Sequence, residues 1–590
     1  MRAIPEASDT LLRLVKTKVI LLACGLIGVA RPDATRANRP RADPALLVDE
    51  PASLARLEAN GYAFREVVGP AKWRAVVATL ARDMAEITDG LAPDSVRRPF
   101  QIGWLERGRF ELIGVVNRFD RRFDPPGQPS CGEVRLVYRL ALHNRGRPPT
   151  RLPMTVNVRI PQRPGAAGCR RVAELWRSEK DVLAILRTLP SFTHLETNFQ
   201  SVHIPSYRHD MDDTAEYVLR SFKVVRDSLA VDTLLNTPRA DLSDGEVAEL
   251  KTWIEDNVPA IDHGVAQVPD KFLATRAVSV SPRGLLRRAN RPFSSYFGDR
   301  ESGLRGAPLG ATVLATTPEL LLRRLDESTC VGCHQSRGVA GFHLLGEEAD
   351  ASRTFNALAV GHSPHMAAEL PWRAEVLAGA AQGREPPRPR PFSGHPDGQG
   401  VEGAQCGIDP GFASWTCAPG LQCRDMQGAS VGVCARSQSA RPGDPCERVT
   451  TEPSERPEGA IVTSAAVDPS CPSVNHPGAT RAFCAPNWLG FTGGMCSALC
   501  ARIGEIQGGA ICAPLPAEGY EADCFRSREP IERCLTRHFV SAEVASCDAE
   551  RPCRDDYACT RVPGAPEGEG ACVPPYFVFQ ARVDGPELDR

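Results

Sequence analysis

Between residues 44 and 378 the chain moves between two hydrophobic rhythms. Residues 71–87 place apolar side chains at helical spacing, and residues 171–189 do the same, with Leu175, Trp176, Val182, Leu183 and Leu186 on one face. Residues 110–116 and 133–142 read as strands, and 154–160 alternates with a period of two. Glu196-Thr-Asn-Phe-Gln200 leads into another apolar–polar strand ending at His203. Ser243-Asp-Gly-Glu246 has the form of a capping box, which predicts a helix running through Leu250, Trp253 and Ile254. Residues 318–325 form a short amphipathic helix. The expectation is an α+β fold: a mixed domain over 44–270, then a helical region over 271–378.

The rhythm stops at residue 379. Residues 379–405 are rich in Gly, Pro and Arg and read as a linker with polyproline character. At the other end, Arg13, Lys16 and Lys18 precede a mainly apolar run over 19–30 that closes on Gly28-Val29-Ala30. This charged, apolar, small order predicts a signal peptide over 1–30, with 31–43 as a flexible leader. The run is shorter than the ~20 residues that cross a bilayer, so no transmembrane span is expected. Leu21-Leu22-Ala23-Cys24 also resembles a lipobox, which would make Cys24 a lipid anchor. The expected location is the periplasm or the cell surface.

Charge argues against one class of partner. There are 70 basic and 72 acidic residues, so no strongly basic surface for nucleic acid is expected. The basic residues are 63 Arg and 7 Lys, scattered among the acids, which fits a coding bias better than a phosphate site.

The 21 cysteines divide by position, and sixteen of them lie between Cys406 and Cys572. Cys406, Cys417, Cys423 and Cys434 share with Cys547, Cys553, Cys559 and Cys572 a core of Cys-x5-Cys followed by a closing Gly-x-Cys. Residues 406–590 are therefore expected to be small disulfide-rich modules, two of them copies of one unit. Cys131 and Cys169 stand alone in the mixed domain and are candidates for a disulfide with each other.

Cys330-Val-Gly-Cys333-His334 is different. Its spacing is that of a c-type haem attachment site, where two thiols add across the haem vinyl groups and the following His sits under the iron. Here the chain resembles the cytochrome c families over about residues 315–378, with a short helix leading into the motif. The resemblance implies covalent haem c on Cys330 and Cys333, with His334 as proximal ligand. Met366 ranks first as distal ligand, ahead of His365 and His362, and His343 also competes. Two other chemistries stay open at this point. Cys330 and Cys333 could form a disulfide, or they could join His334 and His343 in a zinc site.

Asn117, Arg118, Asp120, Glu133, Glu196, Asn198 and Gln200 could line a polar pocket, although turn formation and buried hydrogen bonding are the commoner roles of such residues. The acidic cluster at 210–213 is a weaker metal candidate. The blocks Val116-Asn-Arg-Phe-Asp120, Cys131-Gly-Glu133, Glu196-Thr-Asn-Phe-Gln200 and Cys330-Val-Gly-Cys-His-Gln-Ser-Arg337 are similar to a family of large exported bacterial proteins, a resemblance that implies one architecture and no particular reaction. No P-loop or His-Glu-x-x-His occurs. The leading expectation is an exported single-haem electron carrier that meets a redox partner or surface ligand. The alternatives are a cofactor-free secreted binding protein and a haem oxidoreductase of peroxidase type.

Overall fold

The computed structural model describes residues 43–436 apart from 93–96, 124–129, 144–149, 166–167, 205–213, 282–283, 299–302, 340, 347–361, 385–387, 396–397 and 425–429. Beyond 436 it describes the segments 479–485 and 495–500 and parts of 546–573. The segment 1–30 read as a signal peptide (with Cys24), the acidic cluster at 210–213 and most of the cysteines between 446 and 534 lie outside the described residues.

The elements follow in chain order. The strands are β1 (Leu47–Val48), β2 (Arg98–Pro99), β3 (Arg109–Arg118), β4 (Glu133–Leu142), β5 (Thr150–Pro161), β6 (His194–Ile204), β7 (Thr214–Val225), β8 (Ser228–Asp232) and β9 (Arg276–Ser281). They form one antiparallel sheet in the order β1-β3-β4-β5-β6-β7-β8, with β2 on β6 and β9 on β7. The expected division near 270 does not interrupt this sheet, because β9 pairs with β7 from beyond it. The helices are α1 (Pro51–Leu57), α2 (Phe64–Val67), α3 (Pro70–Asp89), α4 (Trp104–Arg107), α5 (Arg170–Ser178), α6 (Val182–Leu186), α7 (Asp244–Asp256), α8 (Val258–His263), α9 (Pro292–Phe297), α10 (Pro318–Ser328), α11 (Cys330–Gln335) and α12 (Pro364–Ala381). The fold is thus a mixture of helices and antiparallel sheet.

Local chemistry explains the boundaries. The run read as one helix over 171–189 is two, because Asp181 takes an extended conformation and its carboxylate accepts from Leu183 N, starting α6 afresh. The capping box at Ser243 is formed in full and opens α7. Cys131 and Cys169 are disulfide-bonded, tying the start of β4 to the start of α5.

Alternation along the strands sorts the sheet into two faces. Val134, Leu136, Tyr138 and Leu140 of β4 join Met154, Val156, Val158, Leu195 and Phe199 in the main core, closed by α1, α3, α5, α6 and the later turns of α12. The other face carries the polar residues of the same strands. A helical core built on α7 to α10, with Leu250, Ile254, Phe293 and Leu325, stands beside it.

Part of the segment read as a linker is packed. Phe392 is buried with Leu320 of α10 and with Phe412, Trp415 and Val433 of the first cysteine module. That module is a three-stranded sheet of β10 (Gln405–Gly407), β11 (Leu421–Arg424) and β12 (Val431–Arg436), closed by Cys406–Cys423 and Cys417–Cys434. A two-stranded pair, β13 (Ala479–Ala485) with β14 (Met495–Cys500), follows it. The last sheet, β15 (Ser546–Cys547), β16 (Ala558–Arg561) and β17 (Gly570–Val573), repeats the strand order of the first. Cys423 faces Cys434 in one sheet as Cys559 faces Cys572 in the other.

Candidate functional site

The site starts from the polar face of the sheet. In β4 and β5, Arg135 and Arg159 are direct cross-strand neighbours, an arrangement that repels unless something intervenes. Two carboxylates do. Glu133 accepts from Arg135 Nε and Arg159 Nε, both at 2.7 Å, and Glu196 of β6 accepts from Arg135 Nη1 at 3.0 Å and Arg159 Nη1 at 3.2 Å. Burial works against ionisation of Glu133. Arg159, Arg135 and Arg121 overcome it and hold its carboxyl well below the usual carboxylate range.

Helices α10 and α11 cover this face. Thr329 separates them: its hydroxyl donates to Asp326 O at 2.7 Å and accepts from Gly332 N at 2.9 Å, capping α11. Gly332, inside the CVGCH motif, is required sterically, since a Cβ there would stand 2.0 Å from the Asp326 carbonyl oxygen. Val331 anchors the helix among Leu219 and Leu234, and the Cys330 amide donates to Thr237 Oγ1 at 2.9 Å.

His334 reaches back to the sheet. Its Nδ1 lies 3.1 Å from Asn198 Nδ2 and 3.4 Å from the Gly341 carbonyl oxygen, and Asn198 Nδ2 donates to that same oxygen at 2.7 Å. Burial, reinforced by His343, pushes His334 down to about 4, so it is neutral at pH 7. Cys330 and Cys333 are both unpaired thiols. Burial pushes Cys330 up to about 12. Burial also opposes ionisation of Cys333, but its hydrogen bond to His365 and the nearby Arg390 bring it down to about 7.

The loop after α11 and the start of α12 complete the site. His343 Nε2 donates to Cys333 O at 2.7 Å, and its Nδ1 accepts from the Ser363 hydroxyl at 2.8 Å. Its ring stacks on His365 with centroids 4.5 Å apart. His365 Nδ1 lies 2.9 Å from Ser393 Oγ, and its Nε2 lies 3.5 Å from Glu369 Oε1. Glu369 is also paired with Arg373 and Arg390. Met366 is buried beside Val116, Val137 and Leu344, with its sulfur 3.5 Å from Arg373 Nη1. His362 is placed apart, 3.4 Å from Asp49.

Two adjoining cavities meet at α11. One, of about 90 Å³, is lined by Cys330, Cys333, His334, Arg118, Asp120 and Glu196 among others. The second, of about 100 Å³, includes Cys333, His334, His343, His365 and Met366. Arg118, Arg135 and Arg390 line both.

The polar residues read from the sequence divide here. Arg118, Asp120 and Glu196 line the first cavity, Asn198 touches His334, and Glu133 holds the arginines. Gln200 is buried on the same strand as Asn198. Asn117 has a structural role, donating to Ala45 O at 2.9 Å and accepting from Phe119 N at 3.1 Å. The sequence reading missed Arg135, Arg159, Glu369, Arg373 and Arg390. The first two carried a signal, because an Arg at alternate positions of an otherwise apolar strand must face something polar. Arg390 lay in the segment read as a linker and carried none. Comparison with models of protein families, with curated proteins and with solved structures found no match.

Proposed function

We propose that the chain is an exported c-type haem protein that carries electrons, with Cys330 and Cys333 holding the haem as thioethers and His334 as its proximal ligand. The observation that carries this reading is the pair of unpaired thiols on α11, opening with His334 into connected cavities in a chain whose other described side-chain thiols are in disulfides. When bound, the haem supplies a one-electron couple tuned by its axial ligands and surroundings.

The donor residues present suit such a group. The cavities, about 90 and 100 Å³ as they stand, are smaller than the ~300–1,000 Å³ of cofactor sites, so seating a haem requires the elements around α11 to open. Arg118, Arg135 and Arg390, paired with Asp120, with Glu133 and Glu196, and with Glu369, line the cavities with guanidinium groups that propionate carboxylates would have to share. Asn198 and Gly341 hold the Nδ1 side of His334, so Nε2 is the nitrogen offered to iron. Met366 shares the second cavity with His334, which keeps it first as distal ligand. Both His343 nitrogens are already hydrogen-bonded, which places that residue behind Met366. The disulfides and the short apolar run at the N-terminus support export. Among the described residues no helix is long and apolar enough to cross a membrane.

The test is intact mass after periplasmic expression of the full chain with a cytochrome c maturation system, paired with a reduced absorption spectrum. The expected result is a haem-sized increment that survives denaturation, with sharp c-type bands. Cys330→Ala or Cys333→Ala should weaken attachment, and His334→Ala should alter the spectrum. A bare mass with Cys330 bonded to Cys333 would overturn the reading in favour of a cofactor-free secreted binding protein.

A further inference from the structure

Cys333, His343 and His365 place one sulfur and two imidazole nitrogens within 4.8 Å of one another. They come from α11, the loop after it and the first turn of α12. This set differs from the zinc set suggested by spacing. Cys330 Sγ lies 3.5 Å from Leu235 O, and His334 Nδ1 faces Asn198 and Gly341, so neither residue belongs to the triangle.

The three donors have the surroundings of a ligand set. Each imidazole has an outer partner able to fix its ring, the Cys333 carbonyl on Nε2 of His343 and Ser393 on Nδ1 of His365, and Ser363 must release His343 Nδ1 before that nitrogen can ligate. Both serine hydroxyls can rotate without moving the backbone. Met366, next in sequence to His365, lines the same cavity as all three donors. Donors at about 2.0–2.3 Å from a common centre lie roughly 3.3–3.8 Å apart, so a contraction of about 1 Å closes the site.

We propose that the chain with its thiols free binds one copper(I) ion through Cys333 Sγ and the imidazoles of His343 and His365, with the Met366 thioether as a weak fourth donor. One thiolate, two imidazoles and a thioether form a soft set that suits copper and excludes magnesium and calcium. Binding forms the Cys333 sulfur–copper bond and releases the thiol proton to solvent, with no change of oxidation state. The proposal does not rest on the haem reading. The two compete for Cys333, because a thioether no longer supplies a thiolate, so copper belongs to the haem-free chain.

The experiment uses the full mature chain prepared without haem maturation, reduced and free of oxygen, titrated with copper(I) against a chromophoric copper(I) chelator. One equivalent should be retained. Cys333→Ser and His365→Gln should each weaken retention by more than the ~10–100-fold that loss of an outer partner costs. Cys330→Ser should leave it unchanged, and Met366→Leu should lower it by only a few-fold. X-ray absorption on the copper-loaded wild type, which needs no variant, should show one sulfur and two nitrogen neighbours at short distance. Two short sulfurs with no nitrogen, or equal loss in Cys330→Ser and Cys333→Ser, would overturn the assignment in favour of a dithiolate. Failure to retain copper(I), or retention of zinc alone, would overturn it outright. None of these outcomes bears on covalent haem, which is read separately by mass.

Discussion

The two faces of the nine-stranded sheet are made by the same strands, one residue apart, and are buried by different means. On one face Leu136, Tyr138, Val156 and Phe199 pack against helices, and removal of apolar area from water drives the contact. On the other, Glu133, Arg135, Arg159 and Glu196 are covered by α10, α11 and the segment around His343. Desolvating such ions costs several kcal/mol each, and their mutual attraction does little more than return that cost. The apolar face therefore supplies stability. The polar face supplies a fixed arrangement of charge around a cavity and leaves thiols and imidazoles in a partly dry setting. The contrast shows that alternation along a strand records which residues share a face, not whether that face meets water.

Single substitutions can break this comparison. Glu133→Ala removes the buried carboxylate that pairs directly with two partly buried guanidinium groups and leaves them Glu196 alone, and should cost about 3–5 kcal/mol in urea unfolding. A loss below ~1 kcal/mol would mean that the polar face is wet. Leu136→Ala, on the opposite side of the same strand, removes a fully buried side chain. It should cost about 2–5 kcal/mol through lost burial and a cavity, with no change in ligand binding at α11.

Acidity sharpens the contrast, because the imidazoles of His334 and His343 lie on the polar side. His343, like His334, is pushed down to about 4 by burial. The unfolded chain takes up these protons from about pH 6.5, the folded chain only near pH 4. Stability is complete above 6.5 and is lost as the pH falls toward 4. Asp326, raised to about 6 by burial, acts in the opposite sense from about 6 down to its ordinary 3.8 and offsets part of the loss. Urea midpoints should fall between about pH 6.5 and 4.5 in the wild type, and less steeply in His343→Gln. A flat profile in the wild type would mean that the imidazoles are hydrated. The smallest effect is expected at the exposed pair Arg56–Asp181, where Arg56→Ala should change stability by less than about 1 kcal/mol.

Much of the fold was legible because its signals are local. β4 begins and ends where the strand read at 133–142 does, α3 covers the helical run at 71–87, and the capping box opens α7. The split between α5 and α6 was missed, because helical periodicity continued through Glu179-Lys-Asp181 while the Asp181 cap restarted the helix. The packing of Phe392 was missed because a Pro-rich composition describes a chain's stiffness, not its contacts.

The amino-acid sequence by itself determined strands β3 to β6, helices α3, α7 and α10, the pairing of Cys131 with Cys169, the repeat of the cysteine modules and the closeness of two thiols and a histidine after a short helix. These follow from steric and hydrogen-bonding preferences over a few residues, or from a cysteine pair with no nearer partner. Only the tertiary structure decided that the polar side of the sheet is covered, that Arg390 joins Glu369 across 21 residues of chain, and that Cys333 rather than Cys330 stands beside His343 and His365. Those choices depend on which distant surfaces exclude water together, and no short stretch of sequence contains that information.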